Sequence, residues 1–250
     1  MQVISTSVKD INEVQTITTS ASPRAEVQTI TVSPVPGESR VASSYSFSLK
    51  LDTLNYGGSI QYSGEISATA NADGSRYSLA EILGAMSNID SRPTVTKSDI
   101  NPDGGYTYSV TFPLSMKNVP QIEVYITDLP VFCATVEDGN VLGGTFRLTF
   151  EGRSTGDIPY NASPSEMQKH LESLSSIDSV NVVRSIPDYQ NGYSWEIEFT
   201  SEDNNGNLEA LIVSSNGLTT SNLIGGAQVV NEGGINGTFI QGNFFIEFGK

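Results

Sequence analysis

Residues 143–185 read GGTFRLTFEGRSTGDIPYNASPSEMQKHLESLSSIDSVNVVRS, and YSWEIEF follows at 193–199. In the first part of this stretch the apolar residues Phe146, Leu148 and Phe150 alternate with polar ones. Alternation with a period of two predicts a β-strand that buries one face. VNVVRS, WEIEFTS and ALIVSS, further along the chain, are typical of three more strands separated by turns rich in Asn and Gly.

A helix is predicted between the first strand and the others. Ser163 precedes Pro164, and Glu166 lies three residues after Ser163. This is the pattern of a helix N-cap, a proline at the first helical position and a capping box, so a helix is expected over 164–175. Its apolar face is formed by Met167, Leu171 and Leu174.

A looser copy of the same stretch covers residues 45–126. YSFSLKL supplies its first strand, and Ser78 repeats the helix cap, so a second helix is expected over 78–88. Leu83 matches Leu171 at an offset of 88 (171 − 83 = 88), and both are expected to be buried. The predicted fold class is therefore α+β and β-rich, with tandem modules that each combine a mostly antiparallel sheet with one helix.

The N-terminal region contains a shorter repeat. Residues 13–17 and 26–30 both read EVQTI, thirteen positions apart (26 − 13 = 13), and QVIST at 2–6 is a weaker third copy. Each copy is predicted to be a strand, but none is accompanied by a helix or a complete core. We therefore expect these strands to pair outside their own segment, in adjacent subunits or in adjacent modules of a longer chain.

These patterns divide the chain into five regions. They are a segment of short strands with a linker at 1–40, a first module at 41–130, a linker strand at 131–143, a second module at 144–231, and the start of a third module or an assembly strand at 232–250. The N-terminal sequence has neither a basic region nor an apolar one, so no signal peptide is predicted. We expect a fragment of a longer, processed polypeptide.

The charge and hydropathy of the chain restrict its partners. The 250 residues carry a formal net charge of −15, and the 13 lysines and arginines form no basic cluster. This argues against nucleic acid, whose phosphates need cationic partners, and against an anionic membrane surface. No run of apolar residues approaches the length of a transmembrane helix.

Cys133 is the single cysteine, and two interpretations of it stay open. It lies beside Val131 and Phe132, where a free cysteine behaves as a buried apolar residue. Alternatively, it forms a disulfide with another subunit during assembly.

Two sequons fit the acceptor pattern for N-glycosylation. They are Asn161-Ala162-Ser163 and Asn236-Gly237-Thr238, and the first lies beside a predicted helix cap. Together with the abundance of Ser, Thr, Gly and Asn, they favour an extracellular location in which N-glycans are attached.

Side chains suited to catalysis are few. His170, the single histidine, points off the predicted apolar face, and no cysteine lies near it, so the sequence offers neither a catalytic triad nor a zinc site. Glu196 and Glu198 form a carboxylate pair of the kind that glycosidases use, but they are expected on a solvated outer face. We therefore predict a protein that is not an enzyme and that needs no cofactor.

The loop SEDNNGN is a candidate for calcium binding. Asp203, Asn205 and Asn207 alternate in it, as oxygen ligands do in calcium loops. Its glycine is misplaced for an EF-hand and no bidentate glutamate follows, so a polar turn is the competing interpretation. Calcium is thus the one exception to the predicted absence of cofactors.

The EVQTI strands, GTFRLTFEG, YNASPSEMQKHLESL and GYSWEIEFTS together resemble a known module. It occurs in tandem in large extracellular proteins of stramenopile algae, and related modules occur in phage tail and capsid-decoration proteins. The algal setting suggests the tubular flagellar hairs, or mastigonemes. The resemblance covers most of the chain, is best over 137–231, and implies a repetitive, non-enzymatic protein of a filament or matrix.

Several functions compete on this evidence. A structural subunit of an extracellular filament or cell-surface appendage, assembling through edge strands with copies of itself, is favoured. An adhesin or ligand-binding repeat protein would need a concave site lined by aromatic residues or calcium, and a virion structural protein is a further alternative. An enzyme would need a constellation of residues that the sequence does not offer.

Overall fold

The computed structural model of the chain describes residues 11–74, 76–204, 206–221 and 226–238. These residues fold into 16 strands and two α-helices, and every strand pair among them is antiparallel. The fold is therefore α+β and β-rich, as predicted. The expected strand at 2–6 and most of the expected C-terminal unit lie outside the described residues.

The strands and helices are numbered in chain order. The strands are β1 (Val14–Ala21), β2 (Val27–Val32), β3 (Ser46–Asp52), β4 (Ile60–Tyr62), β5 (Ile66–Ser67), β6 (Thr94–Lys97), β7 (Tyr106–Thr111), β8 (Glu123–Thr127), β9 (Val131–Glu137), β10 (Leu142–Phe150), β11 (Arg153–Ser154), β12 (Ile158–Pro159), β13 (Val180–Arg184), β14 (Ser194–Phe199), β15 (Ile212–Thr220) and β16 (Ala227–Ile235). The helices are α1 (Leu79–Gly84) and α2 (Pro164–Glu172).

The first core, a buried apolar cluster that includes Leu83 and Tyr108, lies among two sheets and α1. One sheet has the strand order β6–β7–β2–β9, and in the other β3 pairs with β4, β5 and β8. Leu83 projects from α1 and is fully buried, as its position on the predicted apolar face requires.

The second core, a buried cluster that includes Leu171 and Trp195, has a similar arrangement. One sheet has the order β13–β14–β1–β16, and in the other β10 pairs with β11, β12 and β15. Met167 and Leu171 from α2 are fully buried, and so is Trp195 on β14. The predicted burial of Leu171 is therefore confirmed.

Strands β1 and β2 are central strands of sheets within this chain, whereas the sequence pattern predicts partners in adjacent subunits or in adjacent modules of a longer chain. β1 lies between β14 and β16, and β2 lies between β7 and β9. Both strands pair outside their own segment, as expected, but they do so within this chain, because each buries alternate side chains in one core. The sheets thus include residues that the sequence pattern assigns to a separate segment (1–40) and to a linker strand (131–143).

Both helices begin at the predicted caps and end earlier than expected. Ser163 Oγ accepts a hydrogen bond from Glu166 N at 3.3 Å, and Glu166 Oε2 accepts one from Ser163 N at 2.7 Å, which completes the capping box. After each helix the chain tightens into a turn, with Leu174 N donating to Leu171 O at 3.0 Å. Among the described residues, neither helix is long and apolar enough to cross a membrane.

Polar contacts join the two halves of the described chain. Lys117 Nζ lies 2.7 Å from Asp188 Oδ2. The carbonyl oxygen of Ser22, which follows β1, accepts hydrogen bonds from Asn140 Nδ2 at 2.7 Å and from Gln190 Nε2 at 3.2 Å. The end of β1 is therefore held against the second half, and the Lys117–Asp188 pair joins that half to the first.

Candidate strand-insertion sites

Strand β2 fills a central position in a sheet of the first core. It pairs along its whole length with β7 on one side and with β9 on the other. Gln28, Ile30 and Val32 alternate along it and are all fully buried. Because β2 is hydrogen-bonded on both sides, its removal would leave two rows of unpaired N–H and C=O groups as well as a gap in the core.

Two polar side chains near the start of β2 are buried with it. Gln28 Nε2 donates to the carbonyl oxygen of Pro120 at 3.0 Å, and Gln28 Oε1 accepts a hydrogen bond from Ile122 N at 2.8 Å. Glu26 Oε2 accepts one from Gly139 N at 2.7 Å, and its Oε1 lies 3.3 Å from Gln28 Nε2. These bonds anchor β2 to loops that its backbone ladder does not reach.

The same polar contacts recur around β1. Gln15 Nε2 donates to the carbonyl oxygen of Glu209 at 2.9 Å, and Gln15 Oε1 accepts a hydrogen bond from Leu211 N at 2.7 Å. Glu13 Oε2 accepts one from Gly237 N at 2.7 Å, and its Oε1 lies 3.3 Å from Gln15 Nε2. Each EVQTI segment is therefore held by one glutamate and one glutamine. Both bond to backbone groups of the part of the chain whose core that segment completes.

The environment of Glu26 favours its protonated form. Burial raises the pKa of Glu26 above its ordinary value of 4.5, because loss of water disfavours the carboxylate. The hydrogen bonds from Gly139 and Gln28 oppose this rise in pKa, and the negative charge of Asp138 adds to it. The stability of this strand position is therefore linked to pH.

A basic side chain lies over an aromatic ring beside each core. Lys97 Nζ is 3.8 Å from the ring centroid of Tyr106, and Arg184 Cζ is 4.3 Å from that of Tyr193. Both side chains also donate to backbone carbonyls that precede a helix. Burial lowers the pKa of Lys97. We interpret these contacts as structural, because each holds the entry to a helix against its sheet.

Cys133 lies on β9, opposite Ile30 of β2, and is buried. Loss of water raises the pKa of Cys133 to about 12, so the thiol is protonated and unreactive at neutral pH. The interpretation of Cys133 as a buried apolar thiol is confirmed. A disulfide to another subunit would require β9 to move away from the core.

Both predicted glycosylation sites are exposed. Asn161 lies in the turn before α2, and Asn236 follows the last residue of β16. The hydroxyl of Thr238, in the second sequon, accepts a hydrogen bond from Ile11 N at 3.0 Å. Exposure is what a glycan requires at either asparagine, and its attachment stays a prediction.

In the calcium-loop candidate, the buried residue is Asn204, which is not one of the three alternating candidate ligands. Asp203 and Asn207 are exposed, and Asn205 lies outside the described residues. Asn204 is buried, and its Oδ1 accepts a hydrogen bond from Asp178 N at 3.0 Å. No group of three His, Cys, Asp or Glu side chains suited to a metal ion occurs in the described part of the chain. Calcium binding by this loop stays a prediction.

The remaining titratable residues of interest lie away from the cores. His170 is half-buried on α2. Glu196 and Glu198 lie on the face of β14 that points away from the second core, as predicted, and Glu198 Oε1 accepts a hydrogen bond from Asn12 Nδ2 at 2.9 Å.

An open groove of about 450 Å³ lies beside β3 and β8. The polar side chains of Ser46, Glu65 and Asp128 line part of it. Tyr125, which also lines it, is 54% exposed, and its ring centroid is 4.4 Å from that of Tyr62, which is 50% exposed. The groove thus combines one exposed tyrosine ring, that of Tyr125, with carboxylates and hydroxyls, and the exposed ring of Tyr62 lies next to Tyr125.

The sequence patterns did not identify the buried glutamate and glutamine of each EVQTI segment as contact residues. A signal was present, because period-two alternation places the glutamate and glutamine on the same face as the buried isoleucine. Two polar residues on the core-facing side of a strand need hydrogen-bond partners. Because the pair recurs thirteen residues later, equivalent partners are expected around the second strand.

No protein-family model matches the chain, and no curated protein matches it at a significant level.

Proposed function

We propose that the chain is a structural, non-enzymatic subunit of an extracellular filament or appendage, built from two copies of one module. The observation that supports this most strongly is the repeated strand insertion, in which β2 completes the first core and β1 the second. Strand insertion is a common means of protein assembly, because main-chain hydrogen bonds supply affinity and alternate side chains supply specificity.

The proposed modules do not follow one another simply along the chain. The first comprises residues 26–139, and the second combines 13–22 with 140–238. Each contains two sheets, one helix and a buried glutamate–glutamine pair. The second module thus depends on a strand that precedes the first in sequence, which ties the two modules together.

The proposed extracellular setting has separate support. Asn161 and Asn236 are exposed in sequons, which favours this setting. The resemblance to the extracellular mastigoneme modules supports it as well. A net charge of −15 would keep finished filaments apart in solution, less effectively at high salt.

Immunogold electron microscopy of the source cells tests this proposal. An antibody raised against the purified chain should label extracellular filaments or surface appendages, and negative staining of the isolated material should show a regular repeat. Pre-immune serum is the control. Labelling confined to the cell interior, or to a soluble unassembled protein, would overturn the proposal.

A ligand-binding or adhesive function is the second candidate, favoured by the groove beside Tyr62 and Tyr125. Exposed tyrosine rings flanked by carboxylates and hydroxyls are groups that bind sugars. Binding of the chain to an array of glycans, lost in Tyr125→Ala and retained in Tyr77→Ala at another exposed tyrosine, would support it. Absence of binding by the parent chain would eliminate this candidate.

A further inference from the structure

Two exposed tyrosine rings meet across strand β3. Tyr62 on β4 and Tyr125 on β8 are 50% and 54% exposed, and their ring centroids are 4.4 Å apart at an interplanar angle of 50°. Of the ten tyrosines in the chain, only one other, Tyr77, is exposed. Two of the three exposed tyrosines are therefore in contact with each other.

The architecture of the sheet brings these two rings together. Lys50 of β3 is paired with Tyr62 on one side and with Glu123 of β8 on the other, so β4 and β8 flank β3 and lie about 10 Å apart. The pairing of β3 with β8 shifts after Ser48, and Tyr125 is the extra residue of this β-bulge. A bulge re-aims the side chain of its extra residue, and here the ring of Tyr125 contacts that of Tyr62.

Other side chains that are readily oxidised are shielded from solvent. The cysteine, the tryptophan and all methionines of the described part of the chain are buried, namely Cys133, Trp195, Met86, Met116 and Met167. Oxidation of such side chains depends on their exposure. An oxidant in solution therefore meets the exposed tyrosines before it meets any of these.

We propose that Tyr62 and Tyr125 form a site of oxidative cross-linking, at which a peroxide and a peroxidase join the two rings and staple β4 to β8. Each phenol loses one electron and one proton, and the two phenoxyl radicals form a carbon–carbon bond between their ortho carbons. The hydrogen on each ortho carbon then moves to the phenol oxygen, which restores both aromatic rings. The peroxide takes up the two electrons and two protons and becomes two molecules of water.

The new bond would close a long loop in the first half of the chain. Tyr62 and Tyr125 lie 63 positions apart (125 − 62 = 63). A cross-link over such a loop restricts the unfolded chain, so the first core should unfold at a urea concentration about 1–2 M higher. The inference goes beyond the proposed function, because it concerns a single soluble chain and requires no assembly.

Treatment of the soluble full chain with peroxidase and hydrogen peroxide tests the site. The monomer should lose the mass of two hydrogen atoms and gain the blue fluorescence of dityrosine. After digestion with trypsin, the peptide of residues 51–76 should be joined to that of residues 118–147, in which Tyr125 is the single tyrosine. Absence of the joined pair would overturn the proposal, and so would dityrosine found only in covalent dimers.

Variants that keep the aromatic ring and remove the phenol identify the two partners. Tyr62→Phe and Tyr125→Phe should each abolish the joined pair of peptides. The first variant is needed because the peptide 51–76 also contains Tyr56. The matched control is Tyr77→Phe, at a tyrosine that is 73% exposed and outside the pair, and its yield should equal that of the parent. An unchanged yield in either partner variant would overturn the proposal.

Unfolding of the treated chain in urea tests the staple. Cys133 is buried in the first core, so a thiol reagent labels it when that core unfolds. After removal of the peroxide, the cross-linked parent should have a higher urea midpoint than the untreated parent, and treated Tyr125→Phe should show no shift. Equal midpoints before and after treatment of the parent would overturn the proposal. This failure is distinguishable from failure of the filament proposal, which is read by microscopy.

Discussion

Replacement of Gln28 by leucine tests how much the buried polar contacts of β2 contribute to stability. The side chain is fully buried, and leucine has a similar size, so the change removes hydrogen bonds with little change in volume. Ile122 N–H then loses its acceptor, and the carbonyl of Pro120 loses a donor. A buried donor left without a partner costs about 1–3 kcal/mol. Because the Pro120 carbonyl also loses its donor, we expect the free energy of unfolding to fall by about 3 kcal/mol in total.

The single cysteine makes this loss measurable in the first core. Cys133 is buried there, so a short pulse of a thiol reagent at increasing urea concentrations reports unfolding of that core. With a denaturant slope of about 2 kcal/mol per M, the midpoint should fall by about 1.5 M. The control is Gln61→Leu, at a half-buried glutamine that donates to the exchangeable hydroxyl Ser59 Oγ at 3.0 Å. The loss in its free energy of unfolding should stay below about 1 kcal/mol. Equal midpoints for the two variants would refute the reasoning.

Three further predictions concern single residues. Leu171→Ala should destabilise the second core by about 2–5 kcal/mol, the range for a core leucine; a loss below about 0.5 kcal/mol by Trp195 fluorescence in urea would contradict its burial. Cys133 should react with a thiol reagent only after unfolding, since it is buried and its pKa is about 12; fast labelling of native protein would indicate an exposed thiol. Burial raises the pKa of Glu26, so the folded state binds the proton more tightly, and the stabilisation present below pH 4.5 is lost as the pH rises through the folded pKa. The urea midpoint of the first core should therefore fall as the pH rises, and it should fall less in Glu26→Gln. An equal fall in both proteins would count against a raised pKa of Glu26.

Local patterns sufficed to predict much of the second core. Alternation of Phe146, Leu148 and Phe150 is visible within seven residues, and all three are buried on one strand. The helix cap at Ser163 depends on residues three positions apart, and it is present with both of its hydrogen bonds. Such features need no knowledge of distant parts of the chain.

The partners of the N-terminal strands could not be predicted in this way. Ile17 pairs with Trp195, 178 residues away (195 − 17 = 178), and no local pattern encodes a pairing at that distance. The helix ends were also missed, because Gly84 and the serines after Leu171 favour a tight turn over further helical residues. In the candidate calcium loop, burial of Asn204 depends on contacts with Asp178 that lie outside the loop.

The central claim, that each N-terminal strand completes its own core, is tested most directly by Ile17→Ser and Ile30→Ser. The two isoleucines are equivalent in the EVQTI repeat, and both are fully buried. Trp195 fluorescence and Cys133 labelling report the second and the first core in the same sample. Ile17→Ser should lower the Trp195 midpoint more than the Cys133 midpoint, and Ile30→Ser should do the reverse. Loss of the Cys133 transition in Ile17→Ser, with the Trp195 transition retained, would contradict the account.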